Sequence, residues 1–71
     1  MTILSNEEKL SVVNQHLKNV EFSKYNSELS LIEENSVSSP NQELISNITT
    51  TIAELNLKIS ALEAEKAQLI E

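Results

Sequence analysis

Apolar residues recur along this chain in threes and fours, with one polar, proline-bearing interruption just past its middle. In the C-terminal half, Ile45, Ile52 and Ile59 are seven apart, and Ile48, Leu55, Leu62 and Leu69 complete the pattern. That is a heptad with Ile at a and mostly Leu at d, the seam of a coiled coil. Lys66 takes the next a position, where its stem can lie on the seam while its ammonium stays in water. In the N-terminal half, Leu10, Val13, Leu17 and Val20 keep the same rhythm. The stripe then skips a residue and resumes at Tyr25, Leu29 and Ile32, averaging about 3.67 residues per turn, the period of a nearly straight helix.

Local signals bound the two helices. Ser5-Asn6-Glu7-Glu8 is a capping box, in which Ser5 and Glu8 each satisfy the other's backbone N–H. At Ser39-Pro40-Asn41-Gln42, Ser39 suits an N-cap and Pro40 the first helical position, where a missing N–H costs nothing. Pro40 also drives Ser39 away from helical geometry, so the first helix must end before it. The expectation is helix one at about 5–35, a turn at about 36–39 and helix two at about 40–70, forming a single domain over 1–71. Equal lengths and a short connection give an all-α fold, an antiparallel two-helix hairpin. Leu17 should then face Leu55 and Ile59, Tyr25 should face Ile48 and Ile52, and Leu29 should face Ile45 and Ile48. The intrachain packing set is Leu10, Val13, Leu17, Tyr25, Leu29, Ile32, Ile45, Ile48, Ile52, Leu55, Ile59 and Leu62.

A second, weaker strip remains. Val12, Phe22 and Leu31 fall off the first stripe, and Ala53, Leu57, Ala61 and Ala64 fall off the second. A chain of 71 residues buries little of its surface on folding. These residues are therefore an expected interface through which two hairpins pair as a homodimer, a four-helix bundle, with Ala permitting close approach.

Composition mainly excludes. The chain has no Gly and no Cys, so phosphate-cradling loops, disulfides and thiolate metal sites are absent. It has no Asp for a calcium loop, and one His, His16, cannot form a cluster. Eleven acidic residues, all Glu, outnumber five Lys, and the net charge is −6 without a single Arg. Such a field repels nucleic acid and lacks the bidentate fork that reads phosphate or guanine. Two aromatics, Phe22 and Tyr25, are too few to stack bases. No apolar run spans a bilayer and the first residues do not read as a secretion signal, so a cytoplasmic location is expected. Asn47-Ile48-Thr49 fits the glycosylation sequon, but with no secretion signal it reads as chance. No nucleophile, metal set or pocket suggests an enzyme, a cofactor or a small-molecule substrate.

Leu4-Ser5-Asn6-Glu7-Glu8-Lys9-Leu10 through Tyr25-Asn26-Ser27-Glu28-Leu29 resembles short uncharacterised proteins of tailed phages of marine cyanobacteria. The resemblance covers mainly residues 1–35 and brings no site residues with it. It implies a phage accessory or virion-associated role, in the host cytoplasm or the particle. The expected function is a non-enzymatic structural or interaction protein that binds itself and possibly another protein. The alternative is a small acidic regulator that occludes a basic host or phage protein.

Overall fold

The computed structural model describes residues 3–70, which form two antiparallel helices, α1 (Asn6–Asn35) and α2 (Gln42–Leu69). The chain is 56 Å long, 22 Å wide and 14 Å thick, which is two helices side by side and one helix deep. Its radius of gyration is 16.5 Å. A globular chain of this length would reach about 11 Å. A rod of this kind has no interior, and among the described residues none is fully buried.

Local chemistry sets both helix starts. Ser5 caps α1: its Oγ accepts from the Glu8 N–H at 3.1 Å, and the Glu8 carboxylate accepts from the Ser5 N–H at 3.0 Å. The Ser5 backbone N–H first, and then the Ser5 side chain, hold the Glu8 carboxyl below its ordinary pKa. The start of α2 differs from the expected one. Asn41, not Ser39, is the N-cap, with its Oδ1 accepting from the Leu44 N–H at 3.1 Å. Pro40 stands just outside the helix rather than at its first position. Asn competes as well as Ser for a cap, and here its carbonyl reaches the free N–H of the first turn.

One hydrogen bond crosses the turn: the Asn41 N–H donates to Glu34 Oε2 at 2.9 Å. Ser36 closes α1, its backbone N–H donating to the Glu33 carbonyl oxygen at 3.2 Å and its Oγ at 2.7 Å. The end of α1 is thus tied by a side chain to the beginning of α2.

The seam is read from the half-buried positions. On α2 they are Ile45, Ile48, Ile52, Leu55, Ile59, Leu62, Lys66 and Leu69, the full heptad. On α1 they are Leu10, Val13, Leu17, Val20, Lys24, Ser27, Leu31 and Glu34, with Glu28 beside them. The heptad of α1 therefore runs on without a skip, through polar residues. Tyr25 and Ile32, expected to pack within the chain, are 61% and 64% exposed, and Leu29 is 38% exposed. Leu31, expected on an outer strip, lies in the seam instead. The reason is geometric: α2 follows a strict seven-residue repeat, and a partner helix stays on that track only by keeping the same period.

Candidate interaction surface

At 100° per residue, the exposed apolar residues of α1 form a stripe of their own. Phe22, Tyr25, Leu29 and Ile32 follow one another at spacings of three, four and three. Their mean direction lies about 150° around the helix from the seam. Phe22 is 62% exposed, and with Tyr25, Lys18 and Glu21 it lines an open groove. In the C-terminal half of α1 the apolar stripe thus lies away from α2, while the side that faces α2 carries Lys24, Ser27 and Leu31.

On α2 the outer face is thinner. Leu57, 71% exposed, projects from a face that carries Ala53, Ala61 and Ala64 together with Glu54 and Ser60, all exposed. Val12 is 50% exposed on a shoulder of α1. The expected interface set is therefore split: Phe22 and Val12 are on α1, the Leu57 strip is on the far edge of α2, and Leu31 belongs to the seam. The stripes of α1 and α2 face away from each other, on the two narrow edges of the hairpin.

The broad sides between these edges are polar. The shoulders of α1 carry Glu21 and Glu28 on one side and Ser23, Asn26 and Ser30 on the other. The shoulders of α2 carry Thr49, Asn56 and Glu63, then Asn47, Thr51 and Lys58. Among the described residues, Val12 and Leu44 are the large apolar residues exposed on these sides.

The remaining candidate positions are plain. His16 is exposed on α1. Among the described residues no three side chains of His, Cys, Asp or Glu are arranged to hold a metal ion. The residues of the sequon lie within α2, where Thr49 Oγ1 donates to the Ile45 carbonyl at 2.8 Å. An open groove at the hairpin tip is lined by Ser30, Glu33, Glu34, Val37, Leu44 and Ile48. Of these, Glu34 is the residue that holds the turn. Among the described residues no helix is long and apolar enough to cross a membrane. The chain matches no protein-family model, no curated protein and no solved structure.

Proposed function

We propose that this chain is a non-enzymatic interaction protein, a helical hairpin that acts by offering helix faces to other helices. The observation that supports this most is the stripe Phe22–Tyr25–Leu29–Ile32, exposed on the side of α1 that faces away from α2. Burying one large apolar side chain is worth roughly 1.5–3 kcal/mol. A chain with four of them in a row on one exposed face, and no enclosed core, gains stability when another helix covers that face. The resemblance of residues 1–35 to proteins of tailed phages makes a phage accessory or virion-associated protein the favoured setting.

Self-association is a second reading, as a homodimer. It is favoured by Leu57, which stands exposed among Ala53, Ala61 and Ala64, residues small enough for a helix to approach closely. Sedimentation equilibrium at micromolar concentration, with thermal unfolding over a hundredfold range of concentration, tests it. A dimer whose unfolding midpoint rises with concentration and which Leu57→Glu dissociates is the expected result. A monomer with a fixed midpoint removes the self-association reading. The interaction reading itself fails if, in addition, no helical ligand binds the α1 stripe.

A further inference from the structure

We infer that the outer stripe of α1 is a docking site for an amphipathic helix from another protein, one whose apolar seam is flanked by Lys or Arg. This rests on the interaction reading above and names the occupant of its principal surface. In heptad terms Phe22 and Leu29 take a, and Tyr25 and Ile32 take d. The flanking e and g positions are then Asn19, Asn26 and Glu33 on one side and Glu21 and Glu28 on the other. These flanks hold three carboxylates and no cation. Lys18 continues the stripe at its N-terminal end, and Lys24 lies in the seam with α2.

That charge pattern selects against a second copy of this chain. Side by side and parallel, two α1 stripes set Glu28 of one copy against Glu33 of the other. Antiparallel, where the g side of one helix meets the g side of the other, they set Glu28 of one copy against Glu21 or Glu28 of the other. Pairing α1 with the outer face of α2 in another copy does no better, because that face is flanked by Glu54 and Glu63 and its nearest cation, Lys58, sits on a shoulder. Every self-pairing of the stripe brings like charges to the positions where coiled-coil partners are chosen. A net charge of −6 per chain adds to the cost. A helix with Leu, Ile or Met in its seam and Lys or Arg at its e and g positions reverses each of these contacts. From Lys18 to Glu33 the surface spans a little over four turns, so the ligand helix needs about 16–18 residues.

The test uses the full chain and two synthetic 18-residue helices with Leu at a and d, one with Lys and one with Glu at e and g. Fluorescence anisotropy should show the Lys helix binding about tenfold or more tightly than the Glu helix, with affinity falling as salt rises. The double variant Phe22→Ser/Tyr25→Ser should lose at least about tenfold in affinity for the Lys helix. The triple variant Glu21→Gln/Glu28→Gln/Glu33→Gln keeps the apolar stripe and should erase the preference between the two helices. Equal binding of both helices by the native chain overturns the inference. So does binding that Leu57→Ser abolishes while Phe22→Ser/Tyr25→Ser does not, since the ligand then lies on α2. If neither helix binds but the chain forms a dimer that Phe22→Ser/Tyr25→Ser dissociates, the occupant is a second copy. The inference then falls and the interaction reading stands. With no binding and no association, both fall.

Discussion

Glu34 shows how one side chain can fix a turn that contains no glycine. Its carboxylate takes the Asn41 N–H at 2.9 Å, and Asn41 in turn caps α2, so the two helix ends are joined in sequence by six residues and in space by one bond. Removing it in Glu34→Ala should lower stability by about 1 kcal/mol, while Glu33→Ala, exposed on the same tip, should change it by less than about 0.5 kcal/mol. Urea unfolding of the two variants side by side measures the difference. At the other end the cap of α1 responds to acid through Glu8. Its folded pKa lies below its ordinary value because the Ser5 backbone N–H and then the Ser5 side chain favour the carboxylate. The capping contribution is therefore complete above the ordinary carboxylate pKa and disappears as pH falls through the lowered one. NMR should show the Ser5 amide shift titrating in that acidic window as the first turn of α1 frays. Glu8→Gln should remove the titration.

At the scale of the helices, α1 poses a choice that its apolar content alone does not decide. Leu31 and Ile32 are adjacent and similar in size, yet Leu31 is half-buried and Ile32 is 64% exposed. Leu31→Ala should accordingly cost about 1–2 kcal/mol, less than a fully buried site because water already reaches it, and Ile32→Ala less than about 0.5 kcal/mol. The converse substitutions, Lys24→Leu and Ser27→Leu, place apolar groups in seam positions now held by polar ones. Each should raise the thermal midpoint, with a gain of about 1 kcal/mol for part-burial. Differential scanning calorimetry of the four variants would rank the two stripes directly. The α2 seam was legible in the sequence because its a and d positions are apolar from Ile45 to Leu62. The α1 seam was legible only to Val20. Beyond that, Lys24 and Ser27 interrupt it while Tyr25, Leu29 and Ile32 offer an equally periodic stripe one residue away. Hydropathy ranks the second stripe higher. The regular period of α2 selects the first. Counting sevens from Leu10 through Leu17 and Lys24 to Leu31, regardless of polarity, was the available signal. The candidate surface was half legible for the same reason: Phe22 and Leu57 stood out, whereas the three residues that complete the α1 stripe were assigned to the interior.

The whole molecule has a seam of uneven strength. Near the turn, Leu31 runs against the Ile45–Ile48 end of α2, and near the open end Leu10, Val13, Leu17 and Val20 run against its last turns. Between them the antiparallel order sets Lys24 and Ser27 against the stretch from Ile48 to Ile52. This weak middle has a kinetic meaning. A hairpin with a tied turn and mostly short-range pairings is of the class that folds in microseconds to milliseconds, because little chain must be closed before contacts form. Here the Glu34–Asn41 clamp and Leu31 close the shortest loop and should form first. Zippering then meets Lys24 and Ser27, where each further turn must be ordered before its contacts compensate. The barrier should therefore lie at the middle of the seam, with the turn side formed at the transition state and the open side not yet formed. Leu31→Ala should slow folding, Leu17→Ala should mainly speed unfolding, and Ser27→Leu should accelerate folding by lowering the step itself. Temperature-jump relaxation of these variants would locate that barrier.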